Sequence, residues 1–106
     1  MAKPESRLQR NIRRQLVTAV GGHWYKIWGG PYQKAGIPDL LGCVNGLFFG
    51  LEVKQPGKGK KSKPSDLQKI EIELIQLAGG CAGVVTSPEE AIELVSSTIA
   101  RAKRRR

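Results

Sequence analysis

The sequence predicts an α/β fold of order αβββαβα, with helices packed on a mixed sheet. Three observations carry this reading. Apolar residues recur at helical spacing in three separate segments, two apolar runs flank an Asn-Gly pair, and a short apolar run, CAGVVT, lies between the last two helical segments.

The first helix is expected from Pro4 to Val20, with Leu8, Ile12, Leu16 and Ala19 facing inward. Glu5 precedes Ile12 by seven residues, which sets it about 20° from that position and therefore on the apolar side. Its plainer role is a first-turn acid favoured by the helix dipole. Arg7, Arg10 and Arg14 fall on the opposite side, either as a solvated face or as phosphate contacts. Gly21-Gly22 ends the helix.

HWYKIWG, His23 to Gly29, reads as a strand, with Trp24, Tyr25 and Trp28 as core or sheet-face aromatics. GPYQKAGIP follows as a loop, and Tyr32 and Lys34 within it are candidates for ligand contact. Two strands then surround Asn45-Gly46, the signature of a two-residue type I′ hairpin. QPGKGKKSKPS, Gln55 to Ser65, is a basic loop without P-loop spacing. The second helix starts at Ser65, with Gln68 at capping-box distance and Leu67, Ile70, Leu74 and Leu77 as its expected inner stripe. Gly79-Gly80 stops it, and CAGVVT is a buried strand. Ser87-Pro88-Glu89-Glu90 combines cap, N1 proline and box glutamate at the start of a third helix, which turns Ile92, Val95 and Ile99 inward.

The chain's 106 residues suit one domain, and 40% hydrophobic content suffices for a modest core. We assign residues 1–100 to that domain and 101–106 to a basic tail. No apolar run is long enough to span a bilayer, so no membrane association is expected. The N-terminus lacks the apolar segment of a signal peptide, and a cytoplasmic protein is expected. Cys43 and Cys81 lie in apolar stretches without ligand spacing and read as buried free thiols. A lone histidine, His23, excludes any multi-histidine metal site.

Net charge is +9, from 18 basic and 9 acidic residues, and five of the basic residues lie in the terminal RAKRRR. Without those five the balance is 13 against 9, so the body is still +4. A basic body with a basic tail points to a polyanion such as nucleic acid.

The two carboxylates of IPDLLGCVNGLFFGLEVK stand out in an apolar setting. If Asn45 and Gly46 form the turn, Val44 pairs with Leu47 and every opposed pair sums to 91, Asp39 and Glu52 included. Their Cβ atoms should then lie roughly 4.5–5.5 Å apart on one side of the sheet. Two charges so placed repel. Either the pair shares a proton, or a divalent cation lies between them, and hard oxygen ligands suit Mg2+ or Mn2+. Lys54 shares the face of Glu52, while Val53 turns into the core and keeps a carbonyl free to act as a further oxygen ligand. Two carboxylates, a carbonyl and an ammonium about one point are equipment for phosphodiester hydrolysis. An ordinary ion pair would need one acid, not two opposed in buried strands.

Pro38-Asp39 followed by Glu52-Val53-Lys54 matches the PD-(D/E)XK nuclease pattern. With Glu5, Gly36-Ile37-Pro38-Asp39 and Gln68 added, the chain resembles the virus-type replication-repair nuclease (VRR-NUC) domain from Glu5 to about Thr86. The resemblance implies an αβββαβ core with the last helix as an addition. It implies Asp39, Glu52 and the Val53 carbonyl as metal ligands, Lys54 as the catalytic lysine, Glu5 as an acidic ligand directly or through water, and Gln68 as an assisting residue. It also implies a Mg2+- or Mn2+-dependent DNA endonuclease. Small stand-alone members look like Holliday-junction resolvases, twofold homodimers acting on branched DNA.

Lys58, Lys60, Lys61 and Lys63, just beyond the Glu-Val-Lys strand, are expected phosphate contacts. Three other readings stand beside this one: a restriction-type or DNA-end nuclease, a non-catalytic basic DNA-binding protein on a nuclease fold, and an RNA- or ribosome-binding protein. The last accounts for the charge but leaves Asp39 opposite Glu52 without a purpose.

Overall fold

The computed structural model describes residues 4–57, 59 and 62–105. Helix α1 spans Pro4–Ala19, strands β1, β2 and β3 span His23–Lys26, Leu40–Val44 and Leu47–Val53, helix α2 spans Asp66–Leu77, strand β4 spans Cys81–Val85 and helix α3 spans Pro88–Arg104. The sheet runs in the order β1-β2-β3-β4. The first three strands are antiparallel and β4 joins β3 in parallel, so the sheet is mixed as expected.

The turn chemistry sets the register. Asn45 and Gly46 both have positive φ, 52° and 81°, the pairing that a type I′ turn requires. Val44 then faces Leu47 and Leu40 faces Leu51, the registration expected from the sequence. Alternation places Phe49, Leu51 and Val53 on one side of the sheet, against Ile12, Leu16, Trp24, Leu40, Val85, Ala91 and Val95. Helices α1 and α3 cover that side and bury the core. Each fully buried large apolar side chain there contributes about 1.5–3 kcal/mol.

The opposite side of the sheet meets α2. Gly50 leaves room there for the Ile75 side chain and for Pro38. Gly36, at φ +93°, lets the β1–β2 loop lie directly on the Leu67 backbone.

Several expectations are corrected. Strand β1 stops at Lys26, because Gly29, Gly30 and Pro31 break the run, and Trp28 is left exposed in the loop. Leu67, Ile70, Leu74 and Leu77 do not face the core: all four are exposed, and α2 turns Gln68, Glu71, Ile72 and Ile75 inward instead. The sequence carries two overlapping apolar spacings, and the inward demand on Gln68 selects the other one. Cys43 is free but exposed, since it lies on the α2 side of β2 where no helix covers it, while Cys81 is half-buried. At α3, Ser87 accepts from the Glu90 N–H as expected. The Glu90 carboxylate reaches past the cap, accepting from the Thr86 N–H at 2.5 Å and the Thr86 hydroxyl at 2.6 Å. Those bonds favour its charged form and hold its pKa below the ordinary value. Helix α3 continues past residue 100, so Arg101, Lys103 and Arg104 form its last turn, where cations suit the dipole. Among the described residues no helix is long and apolar enough to cross a membrane.

Candidate active site

The site forms where β2 has yet to begin and β3 is about to end. Asp39 precedes β2 by one residue, and its carbonyl still accepts from the Ile27 N–H at 2.8 Å. Its carboxylate Oδ2 accepts from the Val53 N–H at 2.9 Å. Because a strand residue directs its N–H and C=O toward the same neighbour, the Val53 carbonyl also looks toward Asp39. The next residue turns the other way, and the Lys54 N–H donates to the Val85 carbonyl at 3.0 Å.

Glu52 lies on the α2 side of the sheet and is almost wholly buried. Its Oε2 accepts from Gln68 Nε2 at 2.7 Å and lies 3.3 Å from Lys54 Nζ. Its Oε1 is buried and has no hydrogen-bond partner. An orphaned carboxylate oxygen costs about 1–3 kcal/mol or more, so it calls for a cation, or for a proton shared with Asp39. Gln68 and Lys54 both address Oε2, which leaves Oε1 free for either. The donor set of Asp39, Glu52 Oε1 and the Val53 carbonyl is all hard oxygen and fits Mg2+ or Mn2+.

The electrostatics agree. Burial, then the neighbouring Asp39 charge, pushes Glu52 up to about 7, against the lowering influence of Lys54. Asp39 is also raised, first by burial and then by the Glu5 charge, although the Val53 N–H works in the other direction. Without a cation the two acids favour holding a proton between them.

Gln68 serves two ends. It closes a reciprocal capping box with Ser65, its Oε1 accepting from the Ser65 N–H at 2.8 Å while its own N–H donates to Ser65 Oγ at 3.2 Å. Its amide nitrogen holds Glu52. The start of α2 is thereby tied to the acid in β3, and both roles considered for this residue are present.

Glu5 is exposed at the start of α1, near enough for its charge to act on Asp39. Among the described residues no three acidic, cysteine or histidine side chains converge, so Glu5 does not complete a three-carboxylate cluster. One turn further along the same face, Gln9 is buried, a polar core position that the apolar spacing of α1 passes over.

The expected nucleic-acid contacts divide. Lys63 is exposed and lines a cleft of about 630 Å³ with Lys54, Pro64, Ser65, Asp66 and Gln68, beside the acids. Lys58, Lys60 and Lys61 lie outside the described residues. Lys34 pairs with Glu71 of α2 at 2.6 Å, so it pins the β1–β2 loop to that helix. Tyr32 is fully exposed. Arg7, Arg10 and Arg14 are exposed on the outer face of α1, and Arg14 donates to Asn11 at 2.6 Å. The intervening Arg13 instead donates to the Trp24 carbonyl at 2.9 Å and fastens α1 to β1.

No family model matches the sequence, and no curated protein does. Solved structures resemble the fold, two of them over most of the chain. One, described as a VRR_NUC domain protein, superposes with a TM-score of 0.68 at 18% identity, over 92% of this chain and 88% of that one. The other, described as a VRR_NUC domain, gives a TM-score of 0.67 at 29% identity, over 90% of this chain and 97% of that one. The likeness to the latter extends through sequence as well as architecture across nearly the whole of both chains, so this chain has the fold of, and resembles in sequence, a VRR-NUC domain.

Proposed function

We propose that the chain is a divalent-metal-dependent DNA endonuclease that hydrolyses phosphodiester bonds in branched DNA, acting as a Holliday-junction-resolvase-like homodimer. The orphaned Glu52 Oε1, buried beside Asp39 on a side chain whose other oxygen lies 3.3 Å from Lys54 Nζ, carries the reading. A basic DNA-binding protein without chemistry has no need of it.

In this reading Asp39, Glu52 and the Val53 carbonyl hold Mg2+ or Mn2+, with Glu5 acting through water. A cation bound there polarises the phosphate and lowers the pKa of a coordinated water. Gln68 and Lys54 fix the rotamer of Glu52 through Oε2. Lys54 also places an ammonium where negative charge grows on the phosphoryl oxygens. Lys63, and the neighbouring Lys58, Lys60 and Lys61, supply phosphate contacts that position the strand.

The test is cleavage of junction, flap, nicked and linear DNA with Mg2+ and with Mn2+. Junctions should be cut best. Preference for linear ends would favour a DNA-end nuclease, and no cleavage of any substrate would leave a binding protein on a nuclease fold. Lys54→Ala should retain affinity while losing roughly 10²–10³-fold in rate, the usual cost of removing one group that stabilises developing charge.

A further inference from the structure

Helix α2 covers only half of its side of the sheet. It packs on β3 and β4 through Ile75 over Gly50 and through Gln76, which donates to the Ala82 carbonyl at 3.0 Å. The β1–β2 half is bare: Tyr25 of β1, which pairs with Leu41, is 60% exposed, and Cys43 of β2 is exposed; on the neighbouring β3, Phe48, which pairs with Cys43 and reaches toward Gly80, is 45% exposed. Gln76 follows Leu67 by nine residues, about 180° around the helix. The Gln76 flank faces β4, so the flank with Leu67 and Leu74 overhangs the bare half. Ile70 and Leu77 turn further outward on that flank. Leu67, Ile70, Leu74 and Leu77 are 54%, 51%, 51% and 78% exposed. The helix stripe and the exposed sheet residues together form an apolar shelf, bounded at the Leu67 end by the β1–β2 loop that Lys34 pins to Glu71.

We propose that this shelf takes a second copy of the chain, docked about a twofold axis that crosses α2 between Ile70 and Leu74. Such an axis sets Ile70 against the partner's Leu74 and Leu67 against the partner's Leu77, so the stripe is complementary to itself. The six side chains expose roughly 600 Å² of apolar surface, taking about 150–250 Å² for a fully exposed large side chain. That is the upper end of what a free monomer shows. A stable dimer takes about 800 Å² from each partner, somewhat over half of it apolar, so the shelf is large enough. Nucleic acid is a poor occupant: α2 carries Asp66, Glu71 and Glu73 against a single lysine, Lys69, in a chain whose net charge is +9. The proposal rests on the twofold reading of the site given above and names the surface that reading needs.

Sedimentation equilibrium without DNA or metal tests the docking apart from the chemistry. Wild-type protein and Lys54→Ala should both sediment at twice 11.6 kDa. Leu74→Glu and Leu77→Glu should sediment as monomers with unchanged circular dichroism, since both positions are already half or more exposed. On a junction, each of these two variants should still nick but lose coincident second cuts at least tenfold. A monomeric wild-type protein, or dimers that persist in both variants, would overturn the proposal and give the shelf to another partner or to none. Dimers that behave as described but cut no DNA would sink the nuclease reading alone.

Discussion

At the residue scale, the site is a balance between two acids and what neutralises them. Glu52 is raised from 4.5 to about 7, and Asp39 is raised in the same direction. A carboxyl whose pKa is higher in the folded chain binds more protons there than in the unfolded chain. Metal-free stability is therefore greatest below about pH 4.5 and falls as pH rises toward 7, by up to about 3 kcal/mol for Glu52. Thermal melts in chelator across this range should show that fall, and Glu52→Gln, neutral throughout, should flatten it and be the more stable protein near pH 8. Saturating Mg2+ should raise the wild-type melting temperature most where the acids are ionised, and should do little for Glu52→Gln. A metal-free protein with no such pH dependence would show that the two carboxylates do not compete for charge.

At the element scale, the hairpin sets the acids in register and α2 fixes the orientation of one of them. Gly46 has φ +81° and open space around the position of a Cβ, so Gly46→Ala would strain the backbone without a clash. That should cost about 1 kcal/mol, or a melting-temperature drop of roughly 4–8 °C in a domain of this size. A fall in metal affinity beyond what the lost stability explains would show that the turn also sets the Asp39–Glu52 spacing. The hairpin was legible in the sequence because its determinants are local: an Asn-Gly pair and alternating apolar residues specify turn and pairing together. The α2 surface was not. Leu67, Ile70, Leu74 and Leu77 make a well-formed stripe on a helical wheel, yet the inward side is chosen by Gln68 meeting Glu52 and by Ile75 meeting Gly50, partners distant in the chain.

At the scale of the whole molecule, charge and apolar surface are kept apart. The basic side chains of Lys63 and the α1 arginines are solvent-facing, while α2 is acidic and apolar. Replacing Lys58, Lys60, Lys61 and Lys63 with glutamine should weaken DNA binding without regard to sequence. If all four meet phosphates, the slope of log affinity against log salt should shrink by about 3.6, read from titrations at several salt concentrations. An unchanged slope would reduce these lysines to solubilising charge.

The sequence by itself determined the order of elements, the hairpin register and the facing of Asp39 and Glu52, because each follows from spacing and turn chemistry within a short stretch. It also marked Lys54 and Gln68, whose places follow from strand alternation and a helix cap. Only the tertiary structure decided which side of α2 is buried, that Lys34 is engaged by Glu71, and that one oxygen of Glu52 is left without a partner. Those outcomes depend on how packed elements are rotated against one another and on which atoms water can no longer reach, and no local pattern encodes either.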